Sequence, residues 1–333
     1  MRAMCLLTSC LLVAACEFPT EPPIVQQRWI FPFEEITLGQ EDLLPPQVTV
    51  VGDLYSLAID PVSVAQSLGD LCPACISTGF PVPVPAYKGR FSSFARLPSD
   101  VRVAEIQSGS VDVTISNNLS FDPIAGGGSI TIRVTDAASG VVLGRLVLES
   151  PADALPPSSK IVRTLTLGAG RVIGAIKTSV DIDSPGTQTA AINITDDIGV
   201  SANTTSLLLA EVTINAESST GSIEETLDTE YLGGALTDAI VSGTLIMDVT
   251  NPFGVTFSGT IVIGNVVKDL TVSTDATSTA SLTYTGDELR SFLGVPDVTL
   301  RVEGTLGGGR TTLSAGLNFV LDPALDVVIE LGG

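Results

Sequence analysis

The residues with the sharpest chemistry are two cysteines in the stretch Cys72-Pro-Ala-Cys75. Such a pair can run thiol–disulfide exchange, supply half of a zinc site, or close a small structural disulfide. Exchange chemistry needs a strand before the motif and a helix after it, because the helix N-terminus lowers the first thiol's pKa. Here a short helical pattern precedes the motif, and Ile76-Ser-Thr-Gly-Phe-Pro-Val-Pro83 follows. Zinc needs two further Cys or His ligands, but histidine is absent and the other three cysteines stand at positions 5, 10 and 16. The favoured reading is a structural disulfide, Cys72–Cys75, formed in an oxidising compartment. Free or catalytic thiols are the alternatives. The acidic pairs come next. Asp181-Ile-Asp183-Ser-Pro-Gly186 opens like a calcium loop, but Pro185 stands where an oxygen ligand is wanted and the twelfth position is Ile192. Alternation puts both aspartates on the outer face of a strand, where solvated charge blunts edge pairing. Asp196-Asp197 is expected at a turn. Gly126-Gly-Gly128 and Gly307-Gly-Gly309 lack the lysine and the strand–loop–helix setting of a phosphate loop, and read as loops joining strands. No Gly-x-Ser-x-Gly elbow occurs. Without histidine, only carboxylate pairs remain for acid–base work. The sequence therefore predicts no catalytic residue, no metal ligand set and no cofactor.

Composition narrows the classes further. The chain has 333 residues, 16 Lys+Arg against 37 Asp+Glu, and a formal net charge of −21. A nucleic-acid binder needs a cationic surface, which a pI near 4.1 argues against. With 44% hydrophobic and 16% charged residues, the chain is no disordered polyanion. Its length is enough for one to three domains with real cores.

The N-terminus reads as an address. Arg2 starts a short basic region, and Cys5 to Ala15 is an apolar run too short to span a bilayer comfortably, since a spanning helix needs about 20 residues. Val13-Ala14-Ala15-Cys16 follows and resembles the lipobox of bacterial lipoproteins. The resemblance implies cleavage before Cys16, thioether lipidation of its sulfur and acylation of the new amine. Several acyl chains exceed what stable membrane attachment requires. Cleavage would remove Arg2 and no acid, taking the formal charge to −22. Glu17 is not the aspartate that retains some lipoproteins at the inner membrane, which points to the outer membrane. Glu17-Phe-Pro-Thr-Glu-Pro-Pro23 reads as a stiff tether.

From about Pro45 the chain alternates with period 2, the signature of strands with one packed and one solvated face. Val111, Val113 and Ile115 alternate with Asp112, Thr114 and Ser116; Ile130, Ile132 and Val134 alternate with Thr131, Arg133 and Thr135. Ile176, Val180 and Ile182, then Val298, Leu300 and Val302, behave alike. A transmembrane barrel would carry aromatic girdles, and 16 scattered aromatics do not supply them. Two short helices are expected. One has Thr285 as N-cap with Glu288 at N3 and closes at Gly294; the other runs from Asp60-Pro61 to Gly69. The predicted class is all-β: an antiparallel β-sandwich-like ectodomain with an internal hairpin repeat.

The repeat is explicit. Ser108-Gly-Ser-Val-Asp-Val-Thr-Ile-Ser-Asn-Asn-Leu119 aligns without a gap to Ser242-Gly-Thr-Leu-Ile-Met-Asp-Val-Thr-Asn-Pro-Phe253. Gly128-Ser-Ile-Thr-Ile132 then matches Gly259-Thr-Ile-Val-Ile263. Each copy reads as a strand ending at asparagine, a reversal, and a second strand beginning at glycine. Asp248-Val-Thr-Asn-Pro-Phe-Gly254 resembles the strand-to-turn Asn-Pro signature of the water-stress/LEA14-type β-sandwich domain, over some 20 residues. The first copy has Asn118 in place of the proline. The resemblance supports a sandwich and carries no function. The second copy has less chain after it than the first, so the copies could share one continuous sheet.

The expected organisation is a signal peptide at 1–15, a lipidated Cys16 with a Pro-rich tether to 47, and a small module at 48–99 holding Cys72 and Cys75. Two β regions follow, at 100–235 and 236–333. The expected function is that of a lipid-anchored bacterial envelope protein with a structural, adhesive or protein-binding role, its partners the membrane and an envelope protein. The alternative is a carrier of lipid or another apolar ligand between the sheets, which a mean hydropathy of +0.42 would suit.

Overall fold

The computed structural model describes residues 24–42, 44–215, 220–227, 229, 234–307 and 309–331. The signal peptide, Cys16 and the first part of the tether lie outside them. In chain order the first strands are β1 (Val25–Pro32), β2 (Ile36–Leu38), β3 (Val48–Val51), β4 (Leu54–Leu57), β5 (Val62–Ser67), β6 (Val82–Pro83), β7 (Tyr87–Arg96) and β8 (Val101–Asn117). Then come β9 (Ser129–Asp136), β10 (Val142–Glu149), β11 (Ser159–Leu167), β12 (Gly170–Ile173), β13 (Ala175–Ser184), β14 (Thr189–Ala190) and β15 (Asp197–Asn215). The rest are β16 (Thr220–Leu227), β17 (Ile240–Thr250), β18 (Thr256–Ile263), β19 (Val266–Val272), β20 (Thr277–Thr285), β21 (Val298–Gly307), β22 (Arg310–Ser314) and β23 (Phe319–Leu331). The helices are short: α1 (Leu68–Leu71), α2 (Ala235–Asp238) and α3 (Gly286–Arg290). The protein is all-β, and every pairing between described strands is antiparallel.

The strands build two sandwiches of one topology. In the first, β11-β8-β15 with β5 along the start of β15 faces the sheet β10-β9-β13-β7. In the second, β20-β17-β23-β1 faces β19-β18-β21-β16. Matching the two orders strand for strand pairs β8 with β17, β9 with β18, β13 with β21 and β15 with β23. Each unit is an eight-stranded double-sheet roll in which successive strands cross between sheets, except that β9 turns back into β10, and β18 into β19, within one sheet. The alternating apolar residues turn inward: Val113, Ile115, Ile130, Ile132 and Val180 in one roll, Leu245, Met247, Ile261, Leu300 and Val327 in the other, all buried. Burying one face of each sheet against the other is what holds such a pair together.

The sequence repeat maps onto this duplication side chain by side chain. Asn117 and Asn251, aligned in the repeat, are both buried at the end of equivalent strands. The Asn117 amide donates to the carbonyls of Phe121 (2.9 Å) and Leu155 (2.7 Å), and its Oδ1 accepts from the Leu119 N–H at 2.9 Å. Asn251 donates to Val255 (2.7 Å) and Ser273 (2.9 Å). Each asparagine thus clamps the reversal that carries the chain to the opposite sheet. Gly128 stands just before β9, whereas Gly259, expected to begin its strand, is the fourth residue of β18; both serve close approach. A Cβ on Gly128 would stand 2.7 Å from the Asp183 carbonyl oxygen, and one on Gly259 would overlap the Glu303 carbonyl. Asp183 and Glu303 hold the same place in β13 and β21, opposite Ser129 and Thr260.

Four expectations need correction. The tether expected to reach residue 47 ends earlier, because Val25–Pro32 is a strand paired along Ala324–Leu331. The second roll therefore begins before the first, and the first is inserted into it. This supplies the strand that made the second copy look short, and each copy has its own two sheets. The module expected at 48–99 is no separate body: β5 and β7 are strands of the first roll, and β3 and β4 extend its larger sheet along β15. Nor do the β regions divide at 235 and 236. The first roll's last strand ends at Asn215, and β16 already belongs to the second. The last five residues of β15 pair with β22, tying the two rolls together. Finally, the helix expected over 60–69 is a strand over most of its length. Val62-Ser-Val64 alternates with period 2, and the open edge of β15 offered it backbone partners at Asp197–Ala202. Helix follows only at Leu68–Leu71, capped by Ser67. The other helix begins as expected, with the Thr285–Glu288 capping box formed and Leu289, Phe292 and Leu293 buried, but it ends at Arg290 rather than at Gly294.

Candidate functional site

Cys16 lies outside the described residues. Cys72 and Cys75 are joined by a disulfide with S–S 2.05 Å, just after α1, and both are buried. The Cys75 N–H donates to the Cys72 carbonyl at 2.9 Å, so the bridge closes a single turn. Strand β5 and helix α1 precede it and an irregular segment follows, so no helix N-terminus faces either sulfur. The arrangement pins the loop that leads from α1 to β7.

The acidic pairs are already engaged. Asp181 takes the Arg90 guanidinium on one oxygen and the Arg133 guanidinium on the other. Asp183 pairs with Lys88 at 2.7 Å. Asp197 accepts from Asn118 at 2.7 Å and Asp196 from Asn193 at 2.8 Å. Among the described residues no group of three or more His, Cys, Asp or Glu side chains could hold a metal ion. Asp136 is buried at the end of β9. Burial would push its carboxyl up, but N–H donors from Ile173 (2.8 Å) and Ser139 (2.6 Å) and the Ser139 hydroxyl outweigh it and hold the group below its ordinary value of 3.8. This carboxylate braces a turn.

The constellation that Asp181 and Asp183 belong to is larger than the acidic pair. They stand on the outer face of the sheet β10-β9-β13-β7, where a cleft of about 480 Å³ is lined by Lys88, Arg90, Arg133 and Thr131 beside them. The register sets the face out in rows across the four strands. One row reads Glu149, Ser129, Asp183, Lys88; the next Val147, Thr131, Asp181, Arg90. The third reads Arg145, Arg133, Ser179, Ser92, and the fourth Val142, Thr135, Lys177, Phe94. Arg96 closes the face at the end of β7. Six of the chain's 16 Lys and Arg thus meet on one sheet face with three of its 37 Asp and Glu. In a protein of net charge −21 this is a local reversal of sign. Phe94 is exposed, and the Lys177 ammonium sits 5.7 Å from its ring centre.

The sequence reading took Asp181 and Asp183 as strand charges and missed the basic face around them. Half of the signal was local: Lys88, Arg90 and Arg96 share a parity in one strand. The other half needed the pairing of β7 with β13 and of β9 with β10, which no spacing along the chain reveals.

No family model and no curated relative matches the sequence. Among solved structures the fold is similar to a presumed secreted protein of Parabacteroides distasonis, at 12% identity and TM-score 0.37, covering 90% of this chain and 99% of that one. It is also similar to the VP2 subviral particle of infectious bursal disease virus, at 11% identity and TM-score 0.20, covering 93% and 73%. A third likeness is to the glycosylasparaginase PNGase F of Flavobacterium meningosepticum, at 9% identity and TM-score 0.19, covering 82% and 99%. Likeness at these scores carries no argument about the site.

Proposed function

We propose that the protein is a lipid-anchored component of the bacterial cell envelope, held at the outer membrane through Cys16, that works by binding rather than catalysis. The observation that carries the binding role is the basic outer face of the first roll. The fold does not require it, since the same positions in the second roll bear different residues. Arg90 and Asp181 correspond to Glu224 and Arg301, and Lys88 corresponds to Ser222. A charge set present in one copy of a scaffold and missing from the other serves something outside the scaffold. The Val13-Ala14-Ala15-Cys16 motif supports the anchor, and the Cys72–Cys75 disulfide suits an oxidising compartment. Carriage of an apolar ligand between the sheets is the weaker reading, because the inner faces of both rolls fill with large side chains in one packed cluster.

The test is fatty-acid labelling in a bacterial host with membrane fractionation. The wild-type chain is expected to take label and to sediment with the outer membrane. The Cys16→Ser variant should lose both. Wild-type protein that takes no label, or a Cys16→Ser variant that stays membrane-bound, would remove the anchor. Native mass spectrometry of the extracted protein addresses the carrier reading: a stoichiometric mass lost on organic extraction would reinstate it.

A further inference from the structure

We infer that the outer face of β10-β9-β13-β7 binds an acidic polysaccharide, a sugar chain bearing carboxylate or phosphate groups. The inference rests on the anchored-binder reading and deepens it by naming the ligand class.

Three observations carry it. First, Arg145 and Arg133 are direct cross-strand partners on the outer face. Like charges opposite one another on neighbouring strands destabilise a sheet. Arg133 is relieved by Asp181, but Arg145 makes no ion pair among the described residues, and neither does Arg96. A bound anion would relieve both, and guanidinium is the group that grips carboxylate or phosphate through two parallel hydrogen bonds. Second, the row that holds the two arginines continues into Ser179 and Ser92, and other rows hold Thr135 and Ser129. A field of hydroxyls between fixed cations suits a ligand rich in hydroxyls that carries a charge at intervals. Third, Phe94 stands exposed beside this row with Lys177 against its ring. An exposed aromatic face offers a sugar ring an apolar surface to stack on, with a cation alongside. Three gaps between strands of about 4.8 Å make the face about 14 Å wide. From Lys88 to Arg96 it is about 26 Å long at about 3.3 Å per residue. Those are the proportions of a track for a chain.

The charge distribution separates this ligand from a second copy of the protein. Residues 62–215 hold ten Lys and Arg against thirteen Asp and Glu, whereas the rest of the chain holds six against twenty-four. The acidic second roll could dock on the basic face of a neighbour, but two copies of net charge −21 repel at long range. Such docking also leaves the exposed ring and the hydroxyl rows without a role.

The experiment is calorimetric titration of the full-length chain in detergent with polygalacturonate, with neutral dextran and polyglutamate as comparisons, at low and at physiological salt. Polygalacturonate is expected to bind, more weakly as salt rises; dextran should not bind, and polyglutamate should bind at least tenfold more weakly. The double variant Arg96→Glu/Arg145→Glu should lose at least tenfold in affinity, and Phe94→Ala about threefold to tenfold. The matched double variant Arg102→Glu/Lys160→Glu, on the other sheet of the same roll, should change it less than threefold. Equal binding of polyglutamate with no effect of Phe94→Ala would reduce the face to a general polyanion trap and overturn the inference. So would a salt-reversible dimer in sedimentation that Arg96→Glu/Arg145→Glu dissolves. A chain that is labelled at Cys16 and captures an envelope protein through another surface, yet ignores polygalacturonate, would sink this inference while leaving the anchored-binder reading standing.

Discussion

If the two buried asparagines clamp equivalent reversals, replacing them should cost different amounts, and the structure says which costs more. Asn117→Ala removes the amide donations to Phe121, Leu155 and Pro156, and one acceptance, from the Leu119 N–H. Each lost bond is worth about 1 kcal/mol net, and the buried groups left unpaired add to that, for a total of about 3–5 kcal/mol. Asn251→Ala removes the donations to Val255 and Ser273, but the Asn251 Oδ1 already has no partner. Its cost should be about 2–3 kcal/mol. Asn117→Asp is the sharper probe. It keeps the shape but aims a carboxylate at carbonyl oxygens in a buried site, so it should cost more than alanine at pH 7. Burial among acceptors raises that carboxyl's folded-state pKa, so the deficit should shrink as pH falls and the group protonates. Urea unfolding reads both rolls separately. Trp29 is the only tryptophan and lies on β1, so its fluorescence follows the second roll, while far-UV circular dichroism follows both. With a slope of about 2 kcal/mol/M, a loss of 4 kcal/mol moves a midpoint by about 2 M. Asn251→Ala should move the fluorescence transition, and Asn117→Ala chiefly the part seen by dichroism alone. Asn117→Asp as stable as Asn117→Ala at pH 7, or both within about 0.5 kcal/mol of wild type, would show that the amide donors hold nothing.

Two further perturbations test other parts of the argument. The Asp136 carboxyl is held below its ordinary 3.8 in the folded state, so its contribution is present above that value and lost as pH falls through the folded pKa. Acid unfolding below about pH 4 should therefore be shallower in Asp136→Asn, which also starts less stable at pH 7; parallel pH profiles for the two proteins would deny that the group stays ionised. Removing residues 24–33 deletes β1, bares the β23 edge and takes Arg28 from the buried Asp326. The second roll's unfolding transition should broaden or vanish while the first roll's persists, and an unchanged transition would refute the inserted arrangement.

Where the sequence carried local information, it carried the structure. Period-2 alternation places Val111, Val113 and Ile115 inward, and the Thr285–Glu288 box forms as its spacing demands. The repeat foretold that Asn117 and Asn251 would occupy equivalent places. What could not be read was pairing at long range. Nothing in Val25–Pro32 announces a partner three hundred residues away, and its sparse alternation beside Pro22-Pro23 reads as tether. Val62–Ser67 fell to Pro61, a helix-opening signal that the unpaired edge of β15 overrode. The basic face failed for the same reason: its arginines lie on three strands brought together only by register.

The insertion bears on how the envelope would see this molecule. Eight steps of chain lead from Cys16 to Ile24, a reach of at most about 29 Å at up to 3.6 Å per residue. The proposed lipid on Cys16 would therefore hold β1, and with it the second roll, close to the bilayer, although that roll is built mostly from the C-terminal third of the chain. The second roll carries most of the acidic surplus and none of the basic rows. Negative charge beside anionic lipid is repelled rather than adsorbed over a Debye length of about 8 Å. Such a roll would stand off the surface on its anchor instead of lying flat. The first roll, inserted between β1 and β16, carries the sheet face whose charge is reversed. On the proposed anchoring and binding, the order of strands along the chain would separate the two tasks: the roll that would receive the anchor is the acidic one, and the roll that presents arginine, hydroxyl and ring is the one the anchor would not touch.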